Sequence, residues 1–162
     1  AVPTGIAPVQ ALPTTAAQWA FWNGDASKSL AFSEIGAMLF SGTKGLGGTL
    51  LACIFQAPAQ IGAHATGFTV ASRSSGSLSS KVIVKSGVTI TSPVAPSWFA
   101  IAEDTTGVAV VGPGNAITNR AVDGRLIVPP LSGLGLAVLA PAGTTPLYLP
   151  WGGFCELESD LE

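Results

Sequence analysis

The 162 residues suffice for one domain with a full core, and 48% of them are hydrophobic, an ordinary share. Only 10% are charged, against roughly 25% in a typical soluble domain, so much of the surface is Ser, Thr, Gly, Ala and bare apolar side chains, easiest to understand where a neighbour covers it. A net charge of −2 and the scattered cations Lys28, Lys44, Arg73, Lys81, Lys85, Arg120 and Arg125 exclude a phosphate-neutralising nucleic-acid face, and no run of 18 apolar residues exists to form a membrane-spanning helix.

Residues 1–17 carry Pro3, Pro8 and Pro13, which exclude helix and predict an extended arm. Such an arm either frays or lies across a neighbouring subunit. It lacks the cationic start and apolar centre of a secretory signal. QWAFW (18–22) reads as a strand stopped by the turn residues Asn23-Gly24-Asp25. LAFSEIGAMLF (30–40) mixes periods, and Gly36 with Ser41-Gly42 favours strand over helix. TLLACIF (49–55) has the length and continuity of a strand buried on both faces, and residues 68–72 alternate as a short strand. KVIVKSGVTIT (81–91) predicts a hairpin around Lys85-Ser86-Gly87. Residues 98–102 and 108–111 predict a second hairpin about Glu103-Asp104-Thr105-Thr106-Gly107. RLIV (125–128) follows Asp123-Gly124 and meets Pro129-Pro130; strands at 134–139, 147–149 and 154–157 close the chain.

Strands at this spacing, with Gly, Pro, Ser and Thr turns and no long helical period, predict an all-β fold. The expectation is an antiparallel jelly roll or β-sandwich of about 8–10 strands over residues 18–158, with the Pro-rich arm before it. Glu156, Glu158, Asp160 and Glu162 crowd the end. Residues 159–162 read as a solvated acidic tail, or as a short peptide for a partner.

Catalytic patterns are scarce. His64, the one histidine, lies in the small-residue loop GAHATG with no acid or nucleophile beside it. Gly45-Leu46-Gly47-Gly48 lacks the Lys-Ser/Thr pair of a phosphate loop and precedes a strand. Asp25 and Asp123 stand in turn contexts, and Glu103-Asp104 open a turn without calcium-loop spacing. Glu34 alone lies in a strand-like apolar run, either solvated or paired at a subunit contact. Cys53 and Cys155 sit in apolar runs and read as two free buried thiols, with no metal-ligand spacing. No catalytic residue, metal ligand or cofactor follows. Trp19, Trp22, Trp98, Tyr148 and Trp151 are the candidate interface residues, or else an aromatic platform for sugars. Trp19 and Trp22 point to opposite faces of their strand, so one is core and the other surface or interface.

RLIVPPLSGLGLAVLAPAGTTPLYLPWGGFCELE (125–158), read as strand, Pro-Pro turn, strand, Ala/Thr-rich loop and closing aromatic-acid strand, resembles the C-terminal part of small jelly-roll virion proteins of bacteriophages. LLACIFQAPAQIGAHATGFTVASRSS (50–75) is similar to their strand, Pro-Ala-Gly loop and strand. The chain departs from that pattern at Leu131, where the turn glycine belongs, and at Cys155. The resemblance implies a homo-oligomer, with a trimer favoured, that meets other virion proteins as a decoration, vertex or tail-associated component located on the virion. A structural role without catalysis is therefore the first expectation. A carbohydrate-binding sandwich using exposed Trp or Tyr is the second and a hydrolase the third, since one fold hosts all three.

Overall fold

The computed structural model describes residues 5–43, 45, 47–56, 81–90, 97–104, 116–140 and 144–158. Among these the regular elements are eight strands: β1 (Ala16–Asn23), β2 (Lys28–Thr43), β3 (Gly48–Phe55), β4 (Val82–Thr89), β5 (Phe99–Asp104), β6 (Ala116–Val128), β7 (Gly133–Leu139) and β8 (Thr144–Glu158). The chain is an all-β sandwich of two antiparallel sheets, ordered β4-β1-β7-β3-β5 and β6-β2-β8. The pairs β1·β7, β2·β6 and β3·β5 nest inside one another along the chain. A doubled antiparallel ribbon leaves this order when it winds into a jelly roll. β4 is added beside β1 and β8 beside β2.

Alternation along each strand sends large apolar residues between the sheets. β7 is the plainest case: Leu134, Leu136 and Val138 enter the core, while Gly133, Gly135 and Ala137 face out. From the smaller sheet come Leu30, Phe32, Ile35, Leu39, Val128 and Tyr148. Phe21 and Phe32, from opposite sheets, meet edge to face with centroids 5.4 Å apart. Burying each such side chain contributes about 1.5–3 kcal/mol.

The five-stranded sheet is buried on its other side too. Ala17, Ala20, Trp22, Cys53, Phe55, Val88 and Ile90 form a second cluster there, with Ile83 and Trp98 against it. The bare glycines of β7 make room for it. A Cβ on Gly133 would stand 2.4 Å from the Phe55 ring, and one on Gly135 would stand 2.9 Å from Cys53 Sγ.

The arm packs on its own domain where it is described. Ile6 exchanges both backbone bonds with Tyr148, and Val9 bonds Val138 O and Ala140 N. Residues 6–9 thereby stitch the edge of one sheet to the end of the other. The arm ends sooner than expected, since β1 starts at Ala16.

The expected hairpin at 81–91 is a single strand. β4 pairs with β1 in one register from Asn23↔Val82 to Ala16↔Thr89. Gly87 (φ 63°) supplies a kink rather than a turn, opposite Gln18. Both strands lose alternation there together: Trp19 and Val84 face the core, whereas Ala17 and Val88 face the outer cluster. Residues 147–149 and 154–157 likewise belong to one long β8. β5 pairs with β3, and residues 68–72 and 108–111 lie outside the described residues.

Candidate functional site

The sequence singled out five aromatic residues, and the fold disperses them. Trp19 and Tyr148 are fully enclosed in the core. The Trp19 indole N–H meets no acceptor among the described residues. Trp22 is buried in the outer cluster, tilted 31° against Phe55 at 6.4 Å. These three are core residues of their own chain and not contact residues: Trp19 and Trp22 do point to opposite faces of β1, but the second cluster buries the outer one as well. Trp98 is half-buried against that cluster, and its Nε1 donates to Pro13 O at 2.7 Å. Trp151 alone stands half-buried on the outer face of β6-β2-β8, opposite Gly36.

The titratable groups are dispersed as well. Asp25 closes the β1–β2 turn: its Oδ1 accepts from Ser27 N (2.8 Å), Ser27 Oγ (2.9 Å) and Lys28 N (3.1 Å). The bonds from Ser27, backbone first, hold its carboxyl below the usual carboxylate range. Asn23 braces the same turn from beneath, donating through Nδ2 to Lys28 O at 2.7 Å and Pro129 O at 3.1 Å. Asp123 and Gly124 (φ 49° and 73°) form a tight turn inside β6, where residues 122–125 bulge opposite Ser33. Glu103 is exposed near the end of β5. Burial pushes the Cys53 thiol up to about 12, so it stays protonated and is a poor nucleophile. Cys155 is exposed, contrary to the expectation of a buried thiol; β8 turns it to the outer face at the sheet edge. Among the described residues no three His, Cys, Asp or Glu side chains converge. His64 lies outside them.

Among the described residues, the outer face of β6-β2-β8 holds Trp151, Cys155 and the exposed Ile127 together. Register sets its rows: Ser29 beside Leu157; Ala31 between Ile127 and Cys155; Glu34 between Ala121 and Gly153; Gly36 between Asn119 and Trp151; Met38 beside Leu149. Ile127 is 48% exposed. Glu34 is the only charged residue in these rows. A Cβ on Gly153 would lie 3.1 Å from both Glu34 Cγ and Oε1, so this side chain lies across the bare backbone of β8. Ala31 and Gly36 on β2 and Gly153 on β8 are the small residues of these rows, and Ala31, Gly36 and Leu149 are buried within the chain.

Sequence reading missed Ile127, Ala31, Gly36 and Cys155 as a group. The alternation in RLIV and in GGFCEL was the available signal, but sidedness requires knowing which residues oppose Phe32 and Ile35. No family model, curated protein or solved structure matches the chain.

Proposed function

We propose that this chain is a structural assembly protein that packs against copies of itself on a virion surface, in a decoration, vertex or tail-associated role, without catalysing a reaction. The observation that carries this reading is the outer face of β6-β2-β8, where Ile127 and Cys155 lie open and Trp151 half-open beside the single carboxylate of Glu34 in the register rows of the described residues. A chain with 10% charged residues has little else to keep such a face apart from its own kind. The virion setting rests on the resemblance of residues 50–75 and 125–158 to phage jelly-roll proteins.

Light scattering on the purified chain at low and high salt tests it. A mass of two or more chains, unmoved by salt, is expected, because apolar contacts are not screened. A monomer at every concentration and salt would overturn self-assembly. Trp151 beside Gly36 also supports a second reading, sugar stacking on an open indole. Quenching of tryptophan fluorescence by glycans, lost in Trp151→Ala, would favour that reading instead.

A further inference from the structure

We infer that Ser33, Glu34 and Trp151 form a binding subsite for one neutral pyranose ring, an inference that deepens the sugar-stacking reading above and rests on it rather than on self-assembly. The subsite is made by a bulge. Both neighbours of β2 change register between Phe32 and Glu34, so Ser33 is an extra residue in its strand. Ser33 and Glu34, adjacent in sequence, therefore reach the same side of the sheet. A Cβ on Gly153 would stand 3.1 Å from Glu34 Oε1 and 3.2 Å from Ser33 Oγ, so a carboxylate and a hydroxyl converge over bare backbone. Bulges re-aim side chains in this way and are over-represented beside active sites.

Trp151 stands at the matching distance. Glu34 pairs with Gly153 and Gly36 with Trp151, in successive rows of the same face. Glu34 and Trp151 are thus diagonal neighbours, roughly 7–8 Å apart at the backbone. Glycines hold the other diagonal, so no side chain fills the gap, which is about the width of one sugar ring. Ser33 is exposed, and Glu34, Trp151 and Gly153 are half-buried, so water reaches the whole group.

The polar atoms here select the ligand. Ser33 Oγ donates to Gly153 O at 3.0 Å, which leaves the hydroxyl to accept. Glu34 adds a carboxylate, an acceptor that can take two adjacent hydroxyls. Among the described residues these rows hold no lysine or arginine. A ligand must therefore bring donors beside an apolar face for the indole, and a pyranose does both with its vicinal hydroxyls and its C–H face. Acidic sugars meet the like charge of Glu34. A quaternary ammonium is served by a cage of several rings, and this group has one.

The test follows the indole N–H resonance of Trp151 in the full chain, assigned with Trp151→Phe, during titration with the methyl glycosides of glucose, galactose and mannose. Glucuronic acid, choline and calcium are the comparison probes. At least one neutral glycoside should shift that resonance at millimolar concentration, and Glu34→Ala and Ser33→Ala should each weaken the binding, the former about tenfold or more. Gly153→Ala, which fills the gap with a methyl, should abolish it. If no neutral glycoside binds, both the sugar reading and the subsite are overturned. A glycoside that binds without moving Trp151, or equally well in Glu34→Ala, overturns the subsite and leaves the sugar reading standing. Glucuronic acid binding as tightly as glucose, or a response to choline or calcium alone, overturns the neutral-sugar assignment. Should the alanine variants fail to fold, the Trp151 shift in wild type decides by itself.

Discussion

Val138 donates its backbone N–H to Gln18 Oε1 at 2.6 Å, so a side chain stands where a neighbouring strand would pair. β1 and β7 pair only from Trp22↔Gly133 to Trp19↔Leu136. Beyond that point β1 swings over the outer cluster, and the arm takes its place beside β7 through Val9. Gln18 Nε2 donates in turn to Ala7 O, which makes one buried amide the clasp between arm and sheet.

Replacing that amide with an isosteric apolar group leaves the Val138 N–H and the Ala7 carbonyl without partners. Gln18→Leu should therefore lower stability by about 2–4 kcal/mol, since each orphaned buried group costs roughly 1–3 kcal/mol. Urea unfolding measures the loss, and hydrogen exchange at Val138 should quicken alongside it. An unchanged midpoint would mean that water serves both groups equally well.

Where the sequence could be read, it was read through period and punctuation. The small-large alternation of LGLAVL and the stop at Asn23-Gly24-Asp25 placed β7 and the end of β1. The failures have one physical root, that glycine signals backbone freedom without saying how it is used. Gly87 was taken as a turn and is a kink in a paired strand; Gly124 was taken as a boundary and lies within β6. For the site, the aromatic residues misled because bulk predicts burial better than contact. Trp19, Trp22 and Tyr148 are enclosed, whereas Ile127 and Cys155 stand open.

Leu131 is the position where a turn glycine was expected, and the backbone there has the left-handed φ of 51°. Its N–H donates to Asp25 O at 3.1 Å, which fixes the conformation, while its side chain is exposed and contributes little. A left-handed residue with a Cβ costs roughly 1–2 kcal/mol, partly offset by the extra freedom that glycine gives the unfolded chain. Leu131→Gly should thus raise stability by about 0.5–1 kcal/mol and Leu131→Val should lower it. Thermal melts of both decide it, and a destabilised glycine variant would mean that the leucine side chain makes a contact worth more than the strain.

Gly135 and Cys53 face each other across β7 and β3, and the glycine is there for the sulfur. An added Cβ would sit 2.9 Å from Cys53 Sγ and 3.1 Å from Ala17 Cβ. Gly135→Ala should cost about 1–3 kcal/mol by overpacking. Cys53→Ala on its own loses a buried sulfur, yet in the double variant it makes room for the new methyl. The two should couple favourably by about 1 kcal/mol or more. Strictly additive losses in a double-mutant cycle would show that the clash is relieved elsewhere.

The same thiol makes stability fall in alkali. Burial pushes Cys53 up to about 12, from an ordinary value near 9. A raised folded value means that the stability is complete below pH 9, where both states hold the proton. Above it the unfolded chain releases the proton while the folded chain keeps it. Unfolding is therefore favoured by about 1.4 kcal/mol for each pH unit between 9 and 12. Urea unfolding of wild type and Cys53→Ala at pH 8, 10 and 11 isolates this group from lysines and tyrosine. The gap between the two should shrink, and by pH 11 reverse or nearly close, because the alanine variant has no thiol to ionise. In a Cys155→Ser background, the remaining thiol should react with a disulfide reagent only at the rate of unfolding. Parallel pH curves, or rapid labelling of Cys53 in the folded chain, would place that sulfur in contact with water.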